Sequence, residues 1–327
     1  MLKIITEKRK DAIGIYNREL FRAMRNGELV EIDNKNILSK LLGILKIPKE
    51  GTLLFTDVKA IKIISAFFLK NKKYAVVMHL DKDPYFFRFI PFLTMKKLLQ
   101  QFDGIICISE FSKSQVKELG INAKVAYCGV NHNLFKPAEE KIIKEKYILY
   151  VGNEIPIKNM KNLLEAFSIL KKDFKDLKLV KVGNPDSLGL TGNREKTLEY
   201  IKEFNLQDDV IFTGFVKDED LPKYYSGAEL SLFLPLLSGF GLPIAEAMAC
   251  GCPVVTSDRN PMKEIVGKTQ LTADPLNPKE IAEKCKEVLQ NKELQNRMRK
   301  EGIKRAELFD WNRTARKIME AIRWKLQ

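Results

Sequence analysis

The chain has 327 residues, 45% of them hydrophobic and 30% charged, a balance that excludes wholesale disorder. Its length suits two domains of about 150 residues each. Lysine and arginine interrupt every apolar run before the ~18 residues a membrane-spanning helix needs.

Residues 1–10 read as a short strand followed by charge, unlike a secretory leader, so a cytoplasmic location is expected. Strand patterns follow at Lys3–Thr6, Leu29–Asp33, Thr52–Thr56, Ala75–His79, Gly104–Ser109 and Ala123–Cys128. Amphipathic helical patterns lie between them, as at Lys59–Lys70 and Glu110–Leu119. A charged stretch containing Pro137, Phe135–Lys146, is the expected linker, which predicts domains over 1–140 and 141–327. Beyond it, strands are predicted at Tyr147–Val151, Lys178–Val182, Val210–Thr213, Leu230–Leu234, Pro253–Thr256 and Gln270–Thr272. Helices are predicted at Asn159–Leu170, Leu188–Glu203, Pro243–Met248 and Lys279–Leu289. The tail from Glu280 to Gln327 is almost all helical, long enough to leave one domain and lie across the other.

Strand–helix alternation at this spacing predicts repeated βαβ units and two parallel sheets covered on both faces. Ligands of such sheets bind at the carboxyl ends of strands. An α/β fold with a cleft between two domains is therefore expected.

The net charge of +14 is uneven. Residues 1–145 carry 26 Lys and Arg against 16 Asp and Glu (26 − 16 = +10), and the remainder carries 30 against 26 (+4). A basic first half suits an anionic partner, whether nucleotide phosphate, lipid headgroup or nucleic acid; a solvated lysine-rich surface is the simpler alternative. No aromatic–basic repeat or recognition motif supports nucleic acid. Five cysteines without a Cys-x-x-Cys pair, and only two histidines, argue for reduced buried thiols and against structural zinc.

The most informative segment runs from Pro235 to Val255, PLLSGFGLPIAEAMACGCPVV. A strand ends near Leu234, a loop carries Gly239 and Gly241, and Pro243 suits the first turn of a helix. Backbone N–H groups at such a start hold phosphate well, and Glu246, one turn further, is placed to accept two ribose hydroxyls. An ordinary glycine-capped helix has the same pattern.

This segment resembles the signature of retaining nucleotide-sugar glycosyltransferases with the GT-B fold, of the glycosyltransferase family 4 type (glycosyl transferases group 1). The resemblance extends to Tyr150-Val-Gly-Asn, Lys158-Asn, Leu164-Glu-Ala-Phe167, Phe212-Thr-Gly-Phe215, Lys263-Glu-Ile-Val-Gly267 and Asp310-Trp-Asn-Arg-Thr-Ala315. It implies two Rossmann-like domains, an interdomain cleft and a last helix that crosses back to the first domain. It also implies a nucleotide-diphosphate sugar donor in the second domain and a glycan, lipid-linked or other hydroxyl acceptor in the first.

The resemblance implies roles residue by residue. Lys158 matches the lysine that neutralises the donor diphosphate. Asn153 stands where many members have a phosphate-binding arginine. Glu246 matches the ribose-binding glutamate. Ser238 stands where a first glutamate contacts the transferred sugar, so the catalytic position is altered there. Gly239, Phe240, Gly241 and Leu242 match the loop that meets sugar and phosphate, and Phe215 and Val216 the place where the nucleobase packs. In the first domain, Gly14 resembles part of an acceptor loop whose glycine pair is replaced by Asp11-Ala12. His79 ends a strand where members often have a histidine that touches the sugar; a structural histidine is the simpler alternative.

Asp81-Lys82-Asp83 and Asp218-Glu219-Asp220 contain the Asp-x-Asp string of metal-dependent transferases. The two-domain pattern and Lys158 favour charge neutralisation by protein groups, so no metal and no cofactor are expected. Tyr85–Gln101 mixes aromatic and basic residues, which fits either peripheral membrane contact or a helix packed on its sheet. A nucleotide-sugar epimerase, and a sugar-nucleotide or glycan-binding protein with a decayed site, are the competing readings.

Overall fold

A computed structural model describes residues 2–7, 12–24, 27–32, 47, 50–56, 70–78, 92–140, 142–186 and 191–324. The first sheet comprises β1 (Leu2–Glu7), β2 (Gly27–Ile32), β3 (Thr52–Phe55), β4 (Lys73–Val77), β5 (Gly104–Cys107) and β6 (Ala123–Val125). The strands are parallel and stand in the order β2-β1-β3-β4-β5-β6. Short apolar runs such as TLLF and GIIC suit strands covered on both faces. Between them are α1 (Ala12–Ala23), α2 (Phe92–Leu99) and α3 (Glu110–Glu118). Ser109 caps α3, its Oγ accepting the Ser112 N–H at 3.0 Å, and Ser112 Oγ donates to Met78 O at 2.7 Å. Ile5, Leu53, Phe55, Val77, Leu99 and Ile105 fill the core.

The second sheet comprises β7 (Tyr147–Val151), β8 (Lys178–Val182), β9 (Val210–Gly214), β10 (Leu230–Phe233), β11 (Val254–Ser257) and β12 (Leu271–Ala273). It is parallel, in the order β12-β11-β10-β7-β8-β9. Its helices are α4 (Met160–Lys171), α5 (Asn193–Glu203), α6 (Leu221–Gly227), α7 (Leu242–Ala249), α8 (Met262–Val266), α9 (Pro278–Gln290) and α10 (Lys292–Ala306). Helix α11 (Trp311–Trp324) follows them.

The chain divides into two compact units, 1–129 with 310–327, and 130–309. The last helix thus belongs to the first unit. There Thr314 Oγ1 donates to Tyr127 O at 2.6 Å, Tyr74 Oη donates to Ile322 O at 3.1 Å, and Trp311 packs edge-on against Tyr16. The Phe135–Lys146 stretch is not a free linker, because its first half is built into the second unit. Phe135 packs edge-on against Tyr225, and the Ala138 N–H donates to Ser226 Oγ at 2.9 Å. The division therefore falls at Gly129–Val130, earlier than the composition shift near 140 indicates.

Most predicted elements lie within one or two residues of their sequence positions. Helix α5 begins only at Asn193, and most of the predicted helix Lys59–Lys70 lies outside the described residues. All five cysteines are free and buried, as expected for reduced thiols.

Candidate functional site

In the second sheet the chain runs outward from β7 in both directions, to β8–β9 on one side and β10–β12 on the other. The order reverses at β7 and β10, and in such sheets a ligand crevice is expected outside the carboxyl ends of the strands at that point. The crevice walls are the loop 152–159 and the loop 234–241.

The first wall is held by backbone geometry. Tyr150 Oη donates to Asn153 O at 2.5 Å, a turn of 3-10 helix covers Pro156–Lys158, and Asn159 takes a left-handed conformation, φ 63°. Asn159 then joins the walls: its Nδ2 donates to Leu234 O at 3.2 Å and to Pro275 O at 2.6 Å. Its own Oδ1 accepts from Asn162 Nδ2 at 2.6 Å, and the Leu236 N–H donates to Ile157 O at 2.9 Å.

Lys158 rises from this framework with its Nζ 5.1 Å from the centre of the Phe233 ring. The ring face attracts the ammonium, yet burial dominates and pushes the amine down to about 8. No described carboxylate lies within ion-pair distance of it. The result is a partly desolvated cation that an anionic ligand would stabilise.

On the second wall Gly241 caps α7 with φ 98°, and a Cβ there would lie 2.6 Å from Met262 Cε. This left-handed position suits glycine. Ser238 and Gly239 are half-buried, whereas Phe240 is buried with its ring edge-on to Phe309 at 5.4 Å. Phe240 thus anchors the loop with its side chain and leaves only backbone for a ligand. Leu242 and Pro243 open the helix.

Glu246 lies one turn inside α7, half-buried, accepting a hydrogen bond from Tyr225 Oη at 3.1 Å. Burial pushes its carboxyl up to about 7; the Tyr225 hydrogen bond opposes the rise and Asp218 adds to it. At the end of β9, Gly214 turns with φ 67° and leaves Phe215 71% exposed, with Val216 half-buried beside it. A ring so exposed is no part of the core.

The structure thus brings Asn153 and Lys158 onto one wall and Ser238, Gly239, Gly241 and Leu242 onto the other. Gly14 lies in the first unit and inside α1, so the expected acceptor loop is helical by that residue. His79, Asp81 and Asp83 lie outside the described residues. His132 pairs through Nε2 with Phe309 O at 2.9 Å. Of the second acidic string, Asp220 pairs with Lys223 at 3.4 Å.

Residue-type reasoning missed Asn159 and Tyr225 as positioning groups. The Lys-Asn pair hinted at the first, since asparagine tolerates left-handed backbone. Nothing in sequence links Tyr225 to Glu246. It also missed a buried group of Glu154, Lys181 and Arg194, although the second lysine of the strand KLVKV was a visible anomaly.

Two parallel Rossmann-like sheets with their covering helices are the GT-B class of architecture. Residues 132–305 match the family described as Glycosyl transferases group 1, and the chain belongs to that family. It is 30% identical over 233 residues to the O-antigen chain mannosyltransferase B of Escherichia coli, an alignment covering 66% of this chain and 59% of that protein. Two solved structures share its fold. Sucrose-phosphate synthase from Thermosynechococcus elongatus superposes with a TM-score of 0.85 at 17% identity, over 100% of this chain and 99% of that one. Anabaena HepE, solved in complex with UDP and glucose, superposes with a TM-score of 0.83 at 16% identity, over 99% and 100% of the two chains.

Proposed function

We propose that this chain is a retaining, family 4-type glycosyltransferase. It moves a hexose from a GDP- or UDP-sugar to a hydroxyl of a glycan or lipid-linked acceptor. The observation that carries this reading is Lys158, a partly desolvated cation without a described carboxylate partner, at the strand ends where such sheets bind ligands. It would neutralise the diphosphate in the ground state and, more strongly, as the bond to the sugar breaks and charge develops on the leaving group. Backbone N–H groups at the start of α7 add to this, and Asn153 donates hydrogen bonds of shorter electrostatic reach.

In the same reading Glu246 holds the ribose, Phe215 and Val216 pack the base, and Ser238 and His79 flank the transferred sugar. Gly14 belongs to the acceptor side, in the first unit. Ser238 is read as a contact to the sugar and not as a nucleophile, having no histidine beside it in sequence. Protein cations take the role of a divalent ion, so the reaction proceeds without metal or other cofactor. The mannosyltransferase name of the E. coli relative favours mannose as the hexose. A cytoplasmic enzyme is proposed, peripheral at the membrane if the acceptor is lipid-linked; no described helix is long and apolar enough to cross a membrane.

A thermal-shift series with UDP, GDP, ADP and their sugar conjugates, with and without EDTA, tests the reading. One nucleotide should raise the melting temperature in EDTA, and Lys158→Ala should abolish the shift. A shift lost in EDTA would overturn the metal-free mechanism, and no shift with any nucleotide would overturn donor binding. Serine at 238 favours one second reading, a nucleotide-sugar or glycan-binding protein with a decayed site. Transfer activity that arises only in Ser238→Glu would establish it.

A further inference from the structure

Lys181 lies inside β8 and is fully buried, its Nζ 2.9 Å from Glu154 Oε1 and 2.6 Å from Gly183 O. The Glu154 side chain is equally buried and takes a second cation. Arg194 donates from Nη2 to Oε1 at 2.7 Å and from Nε to Oε1 and Oε2 at 3.2 and 3.1 Å. Its guanidinium carbon sits 3.8 Å from the centre of the Phe212 ring. Burial would raise the Glu154 carboxyl, but the hydrogen bonds from Arg194 and Lys181 hold it below its ordinary value. The carboxylate is therefore ionised and shared by two cations.

One cation suffices to neutralise it, and Lys181, without exposure, is the natural partner. Arg194 is the surplus charge, and its side chain is 26% exposed. A further acid, Asp186, is engaged by the Asn193 N–H and side-chain amide at 3.3 and 2.7 Å and forms no ion pair with either cation. Guanidinium has five N–H donors in a rigid fork. Glu154 occupies those on Nε and one on Nη2, so the rest are available to a ligand.

The location matters equally. Glu154 directly follows Asn153, and its N–H donates to Pro185 O at 2.7 Å. A Cβ on Gly183 would lie 2.8 Å from Gly152 O, so the loops after β7 and β8 are pressed together. Through Glu154, the Arg194 guanidinium is held to the loop that carries Lys158. We propose that Arg194 is a second anion-binding side chain, which binds the diphosphate of the donor together with Lys158. This rests on the donor-binding reading above.

Titration calorimetry on the full chain tests it, with UDP, GDP and ADP compared with uridine, guanosine and adenosine. Arg194→Gln should weaken the preferred diphosphate about tenfold and leave its nucleoside unchanged, as expected for loss of a fixed charge-assisted contact. Salt should then weaken diphosphate binding less steeply than in the wild type. Arg194→Lys keeps a cation beside Glu154 and should retain the fold with an intermediate affinity. An Arg194→Gln variant with wild-type diphosphate affinity, or with equal losses for nucleoside and diphosphate, would overturn the proposal. Should that variant fail to fold, an Arg194→Lys protein that keeps full diphosphate affinity and the wild-type salt slope would overturn it instead. If Lys158→Ala loses the diphosphate while Arg194→Gln does not, only this inference fails. If the wild type binds none of the diphosphates, the donor-binding reading falls with it.

Discussion

The lowered pKa of Lys158 has a consequence for binding that can be followed without turnover. In the free protein the amine loses its proton near 8, because burial disfavours the charged form and no described carboxylate offsets the cost. A diphosphate beside it supplies the missing charge, so the bound form retains its proton to higher pH. Above about 8, binding must therefore take up a proton, and affinity falls as pH rises. By linkage the fall approaches tenfold per pH unit, or about 1.4 kcal/mol, until the pKa of the complex is reached. Between pH 7 and pH 9 the protonated fraction drops from roughly nine-tenths to one-tenth, which predicts about tenfold weaker diphosphate binding. The ligand does not obscure this, since terminal phosphates complete their ionisation near ~6. Calorimetry from pH 7 to 9.5, in buffers of different ionisation enthalpy, measures affinity and proton uptake together. Lys158→Met should lower affinity at pH 7 by about 2 kcal/mol, the size of a charge-assisted hydrogen bond, and abolish the proton uptake. Wild-type affinity that stays constant across this range would refute the assignment of Lys158 to the diphosphate.

The same chemistry predicts that Tyr225→Phe raises the Glu246 carboxyl above about 7, because the Tyr225 hydrogen bond favours the ionised form. Nucleoside affinity at pH 7 should fall about three- to tenfold and recover as pH rises, the value expected for one hydrogen bond; unchanged affinity at both pH values would remove Glu246 from the ribose site. Gly129→Ala tests the seat of the last helix, since a Cβ there would lie 2.5 Å from the Trp311 backbone nitrogen. We expect a loss of 2 kcal/mol or more, on the order of other overpacking changes. Urea unfolding followed by tryptophan fluorescence measures it, and wild-type stability would contradict the packing described.

Two parallel-sheet units and their approximate strands were legible in the sequence because runs such as YILYV and VVTS are apolar throughout. A strand covered on both faces needs that pattern locally, whatever surrounds it. The glycine–proline punctuation around α7 was legible for a similar reason: a left-handed cap and a first-turn proline are demands of the backbone itself. The loop between Ser238 and Leu242, with Glu246, was therefore a candidate from the backbone pattern, whereas Lys158 was a candidate only through the resemblance of its motif to the family.

What the sequence could not determine is how distant side chains share charge and hydrogen bonds. Asn159 links β10 to the loop after β12 across 75 and 116 residues, and Tyr225 reaches Glu246 across 21. The division at Gly129, the return of α11 to the first unit, and the surplus cation at Arg194 are likewise outcomes of packing. Lys181 shows the physical reason most clearly. In the sequence it is a lysine misplaced in an apolar strand; in the fold its burial is tolerated because Glu154 lies 2.9 Å away. Periodicity and backbone demands act over a few residues, so the sequence by itself determined the elements. The energy of a buried charge depends on whatever the fold brings within a few ångströms, so only the tertiary structure decided the electrostatics of the site.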